Sequence, residues 1–410
     1  MPTATTTTNT VIVIHDYGNV RGGQEKVAVD SALGLAETGL EVVFFCAVSP
    51  VDPRLEPSGV RVVCLEIPDL KSNPSAVDAA RKGIWNAETA QRLTVLLEEY
   101  DPATTVIHVH GWTKALSASI GSVITAPGRR HVYTMHEYFL ACPNGGFFNY
   151  QTNEICKLRA MGASCIATNC DQRSYPQKLF RVARQSVAMS KGKLPKNLRN
   201  VIYISNLQKE VMSPYLSKET SIHYVPNPIS ISKAPRIEAE KNKHIVFVGR
   251  LEPVKGALDL ARAAAEVNLP IVFVGDGIEA DLIREICPDA TITGWVAPDQ
   301  VYDYIRSARC LAFPSHWYEC QPLVPYEALA FGVPVISYDI SAARECVIPE
   351  VNGDIVSYED RSAEFTPCLR QYEDDSVVEQ RSRGAYNTYW ETPLSVEKHV
   401  KALLDVYQNV

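Results

Sequence analysis

The strongest constraint on the fold of this chain is an alternation of short β-branched runs with helical segments, which begins close to the first residue. Strands that are buried on both faces of a sheet are continuous apolar runs of this kind. The helical segments between them would cover both faces of a parallel sheet. The first series contains six predicted strands, at residues 11–15, 41–47, 60–66, 105–110, 131–135 and 200–205.

The alternation pauses at residues 226–242, a segment rich in Pro, Ser and Lys, and then starts again. A chain of 410 residues is too long for one hydrophobic core. We therefore predict an α/β protein with two doubly wound, Rossmann-like domains, residues 1–228 and 229–385. We expect residues 386–410 to form a helical tail that packs back toward the N-terminal domain. The second series of predicted strands lies at residues 244–249, 270–275, 290–294, 310–314 and 334–338.

Ligands of doubly wound domains bind outside the carboxyl ends of the strands. With two such domains joined by one linker, the cleft between them is the expected site. The net charge of −7 is divided unevenly along the chain. Residues 1–228 hold 23 Lys and Arg against 19 Asp and Glu, whereas the remaining residues hold 17 against 28. The first half is therefore the one expected to meet an anionic surface, and we predict no nucleic-acid partner.

The segment 173–199 has eight basic residues and no acidic one. It is either a solvated basic face or a helix that rests on an anionic membrane, which charge reversal at Arg181 and Arg184 would test. The first ten residues have no basic start typical of a signal peptide, and no apolar run reaches the length of a membrane span. We therefore predict a cytoplasmic protein, or one at the inner face of the membrane.

Eleven cysteines in such a chain argue against a disulfide framework, because the number is odd and no secretion signal is visible. Four of them, Cys142, Cys156, Cys165 and Cys170, fall within a predicted insertion at residues 142–170. Their spacings lack the usual Cys-x2-Cys pair of a zinc site. Buried thiols, a structural zinc or another metal, and disulfides all remain open for this group.

The stretch "VGRLEPVKG" places Arg250 and Lys255 on a turn that leads from a strand into a helix. Helix N-termini attract anions, and an Arg with a Lys can hold a diphosphate. The alternative, two surface cations at a helix start, is mildly unfavourable. In the first half of the chain, Gly22 and Gly23 open a predicted helix, and His136 follows the fifth strand. The glycines would admit a ligand close to the backbone, and His136 lies at a strand end, although tight turns and core packing use the same residues.

The stretch "ECQPLVPYE" is the most specific of all. It places Glu319 and Glu327 on either side of a helix start, where the backbone N–H groups of Leu323 and Val324 are available to a ligand. Carboxylates accept hydrogen bonds from neighbouring hydroxyls, which suits a ribose or another sugar ring. A solvated helix face is the alternative, but it would not explain so apolar a loop.

With these stretches the chain resembles glycosyltransferase family 4, retaining enzymes of the GT-B fold, over nearly its whole length. The resemblance implies that Arg250 and Lys255 neutralise the diphosphate of a nucleotide sugar, that Glu327 holds its ribose, and that Glu319 contacts the transferred sugar. Gly23 and His136 would complete that site, and the catalytic residues expected on this basis are Glu319, His136, Arg250 and Lys255. The family has a Gly-Phe-Gly-like run after the first Glu, and this chain has "CQPLV" instead, so the identity of the donor does not carry over. The substrate-binding residues expected on this basis are Gly22, Gly23, Gln321, Pro322, Leu323, Val324 and Glu327.

The function implied is retaining transfer of a hexose from a nucleotide-diphosphate sugar to a glycan or a lipid-linked acceptor, in polysaccharide or glycoconjugate assembly. Arg250 and Lys255 would stabilise the charge on the leaving diphosphate, so no metal cofactor is required in principle. Two alternatives remain: a nucleotide-sugar epimerase, and an inactive subunit that binds a nucleotide sugar.

Overall fold

We analysed a computed structural model, which describes residues 7–267 and 269–410; the threonine-rich start of the sequence, up to Thr6, lies outside this part. Its strands follow the predicted series closely and include four that were not predicted, at residues 148–149, 154–155, 221–224 and 353–356. In chain order the strands are β1 Thr10–Tyr17, β2 Glu41–Val48, β3 Arg61–Cys64, β4 Thr105–Val109, β5 Arg130–Thr134, β6 Phe148–Asn149, β7 Glu154–Ile155, β8 Asn200–Tyr203, β9 Ser221–Tyr224, β10 His244–Val248, β11 Ile271–Val274, β12 Thr291–Ile292, β13 Ala308–Phe313, β14 Val335–Tyr338 and β15 Gly353–Val356.

The helices lie between these strands and after the last of them. In chain order they are α1 Gly23–Glu37, α2 Ala76–Ile84, α3 Ala87–Glu98, α4 Ser119–Ile124, α5 Ala163–Ala167, α6 Tyr175–Ser190, α7 Asn206–Met212, α8 Ala257–Ala264, α9 Ala280–Ile286, α10 Pro298–Arg306, α11 Leu323–Phe331, α12 Arg361–Arg370, α13 Asp375–Glu391 and α14 Val396–Tyr407.

The chain divides into two compact units. The first contains the described residues up to Phe147, then Lys157–Pro228 and Leu394–Val410. Its seven-stranded sheet has the order β3-β2-β1-β4-β5-β8-β9, and each neighbouring pair is parallel. Strand β1 is buried on both faces, since Val11, Ile12, Val13 and Ile14 are each 0% exposed. This burial is the reason why its sequence is a continuous apolar run.

Helix α14, at the end of the chain, packs on α1 within the first unit. A Cβ atom added at Gly34 would lie 2.6 Å from a methyl group of Val400, so only glycine allows this close approach. The ring of His399 forms hydrogen bonds with the hydroxyl of Ser31 (2.9 Å) and with the carbonyl oxygen of Pro226 (2.8 Å). These bonds satisfy a polar ring that is 6% exposed.

The second unit consists of Phe148–Cys156 and Ile229–Pro393. Its six-stranded sheet has the order β12-β11-β10-β13-β14-β15, again with parallel neighbours. Strands β6 and β7 form an antiparallel hairpin. Of the predicted insertion 142–170, the part Phe148–Cys156 therefore groups with the second unit and the rest with the first.

Two arginines of the basic segment 173–199 are more buried than those of a helix that rests on a membrane would be. Arg184 on α6 is 6% exposed, and its Nη1 donates to the carbonyl oxygen of Thr113 (3.0 Å). Arg181 forms an ion pair with the buried Asp171 (2.6 Å). Arg184 is therefore not accessible to lipid, and membrane contact of this segment stays a prediction. In residues 7–267 and 269–410, no helix combines the length and the apolar character that a membrane crossing demands.

Candidate active site

In the second unit, the chain leaves β10 and turns sharply before α8 begins. Gly256, immediately before α8, has a φ of 70°, and a Cβ atom there would lie 1.9 Å from the carbonyl oxygen of Pro314. Only glycine fits both the left-handed backbone and this contact. The turn brings Lys255 against the loop after β13. Arg250, at the start of the turn, donates to Glu252 (2.8 Å) while its side chain stays 63% exposed.

The carboxylate of Glu319 lies at the centre of this site. Its Oε1 atom is 2.5 Å from Nζ of Lys255 and accepts a hydrogen bond from Ser315 (3.0 Å). Both bonds use Oε1, and among the described residues Oε2 has no hydrogen-bond partner. The side chains of Lys255 and Glu319 are 19% and 12% exposed, so this ion pair is partly shielded from water. Trp317 contributes its ring, with its centroid 5.2 Å from the ammonium group.

Helix α11 carries the second carboxylate of the motif. It begins at Leu323, directly after Pro322, and no side chain caps its first turn in the part of the chain that the structure describes. The N–H groups of Leu323 and Val324, at the start of the helix, receive no such cap. Glu327 is 6% exposed and accepts a hydrogen bond from the hydroxyl of Tyr302 (3.3 Å). Gln321 is also buried, in the loop that leads into this helix.

Behind the ion pair lies a network that the sequence did not reveal. Asp259 on α8 is hydrogen-bonded to the ring of His316 (2.8 Å) and to the hydroxyl of Tyr338 (3.1 Å). Burial alone would raise the pKa of Asp259, but the bonds from His316 and Tyr338 outweigh it and lower that pKa. The network holds His316 against α8, and so helps to hold the loop that carries Glu319.

Glu279 is a further buried carboxyl group of the second unit, 7% exposed. Burial, together with the neighbouring carboxylates of Asp259 and Glu252, raises its pKa to about 7 against the opposing charge of Arg262. Within the described part of the chain its Oε2 atom has no hydrogen-bond partner. The group is therefore close to half protonated at neutral pH.

In the first unit, α1 begins at Gly23, and no side chain caps its first turn among the described residues. Gly22 has an extended backbone that any residue adopts. Gln24 donates to the carbonyl oxygen of His110 at the end of β4 (2.7 Å). A Cβ atom added at Gly111 would lie 2.6 Å from Nε2 of Gln24, so a larger residue there would displace this side chain. The start of α1 is thus held directly against the carboxyl end of β4.

His136 follows β5 and is paired with a second histidine. Its Nε2 atom lies 3.0 Å from Nδ1 of His110, and the two rings are nearly parallel, at 21°. Burial lowers the pKa of both imidazoles well below the usual value, and the neighbouring histidines His15 and His108 lower them further. Both rings are therefore neutral at physiological pH.

The cysteine group is organised around a lysine. Lys178 is 0% exposed, and its Nζ lies 3.2 Å from Sγ of Cys170 and 3.6 Å from Sγ of Cys165. In residues 7–267 and 269–410, no three His, Cys, Asp or Glu side chains are placed to hold a metal ion. The arrangement therefore does not support the zinc alternative for Cys142, Cys156, Cys165 and Cys170.

Of the residues expected from the sequence, the structure brings Lys255 and Glu319 into contact in the second unit, where Arg250 and Glu327 also lie. Gly22, Gly23 and His136 lie in the first unit, at strand ends or a helix start. Sequence reasoning missed His110, although the alternation "HVH" at the end of β4 puts His108 and His110 on one face of the strand.

Chemically, the site of the second unit can bind an anion and a polyol side by side. Lys255 and Arg250 each donate one hydrogen bond to a carboxylate. Two N–H groups of the ammonium and four of the guanidinium remain for a ligand. Oε2 of Glu319 is available to accept from a hydroxyl group. A phosphorylated sugar presents both kinds of group.

Comparison with known families gives two matches that together cover most of the chain. The family described as "Glycosyl transferases group 1" matches residues 242–375. The family described as "Glycosyl transferase 4-like domain" matches residues 22–228, which is half of the chain. The first of these matches contains strands β10–β15, and the second contains β2–β9 but begins after β1.

Among curated proteins, the D-inositol 3-phosphate glycosyltransferase of Mycolicibacterium smegmatis is 24% identical over 83% of this chain and 76% of that protein. A GDP-mannose-dependent alpha-mannosyltransferase of the same organism is 36% identical over 25% of this chain and 27% of its own length. A protein of the cps region of Klebsiella pneumoniae is 30% identical over 32% of this chain and 37% of its own length. The chain therefore spans 27% and 37% of the length of the last two relatives.

Solved structures resemble the whole chain. A sucrose-phosphate synthase from Thermosynechococcus elongatus superposes with a TM-score of 0.71 and 18% identity, over 98% of both chains. Anabaena HepE in complex with UDP and glucose gives a TM-score of 0.67 and 17% identity, over 98% of this chain and 100% of that one. At these identities the likeness concerns the fold, which is the predicted GT-B fold with two Rossmann-like α/β units.

Proposed function

This chain belongs to the group 1 glycosyl transferases, as its sequence predicted, and we propose that it transfers a hexose from a nucleotide-diphosphate sugar to an acceptor hydroxyl with retention of configuration. The observation that carries the proposal is the contact of Lys255 with Glu319 beside the uncapped first turn of α11. It combines a cation for a phosphate with a carboxylate oxygen for a sugar hydroxyl in one place.

In the proposed reaction the bond between the sugar and the diphosphate breaks through an oxocarbenium-like state, and negative charge grows on the leaving group. The remaining donors of Lys255 and Arg250 would stabilise that charge. Since Lys255 and Glu319 already hold each other in place, no reorganisation is needed when the charge develops. The acceptor hydroxyl attacks from the face that the diphosphate leaves, and the diphosphate oxygen takes its proton.

The two carboxylates have separate roles in this proposal. Oε2 of Glu319 accepts from a hydroxyl of the transferred sugar, and Glu327 accepts from the ribose of the nucleotide. Gln321 and Pro322 lead into the helix start that the donor would approach. Gly22, Gly23 and His136 are proposed as donor-binding residues of the first unit on the basis of the family resemblance. No metal cofactor takes part in this scheme.

For the acceptor, we propose a glycan or a lipid-linked sugar in polysaccharide or glycoconjugate assembly. Support comes from the names of related proteins: a curated relative lies in a cps region, and the similar structure WaaG is described as involved in lipopolysaccharide biosynthesis. The structure of WaaG superposes with a TM-score of 0.65 at 14% identity. A cytoplasmic location at the inner face of the membrane would suit such an acceptor and stays a prediction.

Contact with an anionic membrane is proposed for the exposed part of the basic segment, because Lys191, Lys193 and Lys196 are exposed there. The test is sedimentation with vesicles of phosphatidylcholine and phosphatidylglycerol. Wild type should sediment at low salt, and the variant with all three lysines changed to Glu should stay in the supernatant. Equal sedimentation of both would refute this docking surface.

The function itself is tested by release of free nucleotide from UDP-, GDP-, ADP- and dTDP-sugars, with lipid and glycan extracts as acceptors. Wild type should release nucleotide from at least one donor. Arg250→Ala and Glu327→Ala should abolish that release, whereas Arg284→Ala, an exposed arginine of α9, should keep it.

The rival functions predict different products. An epimerase would convert the donor sugar and release no nucleotide, which analysis of the sugar after the reaction would detect. A binding subunit would bind a nucleotide sugar in calorimetry but release nothing with any acceptor. Either result would contradict the transferase proposal.

A further inference from the structure

The pairing of His110 with His136 has a consequence for the donor-binding histidine of the first unit. The Nε2 atom of His136 faces Nδ1 of His110 at 3.0 Å. Both rings are neutral, so one of the two nitrogens carries a hydrogen and donates it, and the other accepts. Two arrangements satisfy this bond. In one of them Nδ1 of His136 carries a hydrogen, and in the other it has a lone pair.

The other nitrogen of His110 decides between these arrangements. Nε2 of His110 is buried, and among the described residues it has no hydrogen-bond partner. If His136 donated, His110 would carry its hydrogen on Nε2 as a buried N–H without an acceptor. If His110 donates, that position is a bare lone pair instead. Buried N–H groups without acceptors are rarer in proteins than acceptors without donors, so His110 is the donor.

The surroundings of His110 hold its ring in the orientation that this bond requires. Gln24 binds the carbonyl oxygen of His110 at 2.7 Å, and the ring centroid of His108 lies 4.1 Å from that of His110. His108 is itself fixed, because its two ring nitrogens bond to Tyr407 (2.7 Å) and to Thr134 (2.7 Å). The ring of His110 is therefore enclosed, and the hydrogen bond to His136 is built into the fold.

We propose that His110 is a positioning residue which holds His136 as the tautomer with its hydrogen on Nδ1. His136 then meets its ligand as a hydrogen-bond donor, and not as a proton acceptor. This inference rests on the proposed function for the identity of that ligand, an oxygen of the donor sugar or of its phosphate. Within residues 7–267 and 269–410, no group forms a hydrogen bond with Nδ1 of His136, so this donor is available.

The tautomer can be measured without any substrate. In the full chain with 15N-labelled histidine, long-range proton–nitrogen spectra distinguish a protonated from a bare ring nitrogen, and comparison with His136→Asn assigns the signals. We expect Nδ1 of His136 to be protonated and Nε2 to be bare. A protonated Nε2 on His136 would overturn the proposal.

Two variants connect the tautomer with turnover. His110→Leu removes the N–H group that donates a hydrogen bond to His136. This variant should yield mixed tautomers of His136 and lower kcat about tenfold, with nucleotide affinity unchanged. His110→Asn keeps an N–H close to the position of Nδ1, and should restore both the tautomer and most of the rate. Thermal unfolding of each variant identifies a loss of fold.

The outcomes separate this inference from the proposed function. If wild type releases no nucleotide, the proposed function fails while the spectra still decide the tautomer. If wild type is active and His110→Leu is equally active with unchanged spectra, His110 has no positioning role.

Discussion

Lys255 and Glu319 are 64 residues apart in the sequence, and their side chains meet at 2.5 Å between Nζ and Oε1. Ser315 donates to the same carboxylate oxygen at 3.0 Å. Both charged side chains are mostly buried, so each is the main counterion of the other.

This pairing predicts strong coupling between the two residues in catalysis. Glu319→Gln keeps the shape of the side chain but leaves Lys255 without its counterion, and Lys255→Met does the reverse. Each variant should slow nucleotide release by about a hundredfold or more. The double variant should be little slower than either single one, because residues that act as a unit are not additive. Rates measured at saturating donor test this, and fully additive losses would contradict it.

Tyr302 should support donor binding through Glu327. Tyr302→Phe removes only the hydroxyl that donates to Glu327 at 3.3 Å. Because one hydrogen bond to a charged group contributes about 1.5–3 kcal/mol, the Kd for nucleotide should rise about ten- to a hundredfold. Calorimetry with the nucleotide identified in the release assay measures this effect. Tyr304→Phe, a neighbour on α10, is the matched control, and an equal effect there would remove the special role of Tyr302.

Glu279 should make the protein less stable as the pH rises. Its pKa is about 7 in the folded protein, above the usual 4.5, so the folded state binds the proton more tightly than the unfolded state does. The resulting stabilisation is complete below pH 4.5 and is lost as the pH rises through 7. Glu279→Gln should therefore raise the free energy of unfolding by about 1–2 kcal/mol at pH 8 and change it little at pH 5.

Thermal unfolding at both pH values checks this prediction. Glu285→Gln, at an exposed position of α9, the helix that follows Glu279, is the control and should change Tm at neither pH. A gain of equal size at pH 5 and pH 8 would show that the effect of Glu279→Gln does not come from titration.

His399 should contribute to loss of stability in acid. Burial lowers its pKa to about 4, against the opposing effects of its bond to Pro226 and the charge of Asp30. The neutral ring thus stabilises the fold fully above pH 6.5, and this contribution is lost as the pH falls toward 4. His399→Gln, which cannot titrate, should lose about 1–2 kcal/mol less than wild type between pH 7.5 and pH 5. The exposed His244→Gln is the control, and parallel losses in wild type and His399→Gln would contradict the assignment.

Arg184 should act in folding and not at a membrane. Its guanidinium donates to the carbonyl oxygen of Thr113 and lies 5.2 Å from the ring centroid of Phe139. Arg184→Ala should lower the free energy of unfolding by about 2–4 kcal/mol, because the carbonyl oxygen of Thr113 and the ring of Phe139 both lose a buried partner. Urea unfolding measures this loss. Vesicle binding by the folded fraction should match that of wild type. Full stability with lost vesicle binding would restore the earlier interpretation of this residue.

The strands could largely be predicted because most of them are apolar on both faces. Two of the four that were missed, Ser221–Tyr224 and Gly353–Val356, lie at sheet edges and contain polar residues such as His223 and Asp354. The other two, Phe148–Asn149 and Glu154–Ile155, are two-residue strands of a separate hairpin. The predicted start of β13 left out Arg309, because arginine favours the surface. In the structure the strand begins earlier, and Arg309 is buried in it. Its guanidinium is satisfied by the carbonyl oxygens of Glu240 (3.0 Å) and Asn242 (3.1 Å), and no local pattern reveals such partners.

The site could be predicted only as far as its residues lie in recognisable motifs. Such motifs contain Arg250, Lys255, Glu319 and Glu327. The ion pair between Lys255 and Glu319, however, depends on tertiary contact. His110 and Tyr302 were missed because they act through another residue. Their positions follow from how neighbouring elements pack, which spacing along the chain does not encode.

The helix α14 also has a consequence for the way the protein is made. It belongs to the first unit, where Tyr407 binds His108 in the sheet, yet more than 160 residues of the second unit are translated before it. Domains usually fold from the N-terminus onward during synthesis. Here the nascent first unit must wait on the ribosome with α1 and His108 uncovered. Emergence of α14 after the second unit, and not synthesis of the first half, is therefore the step that closes its core.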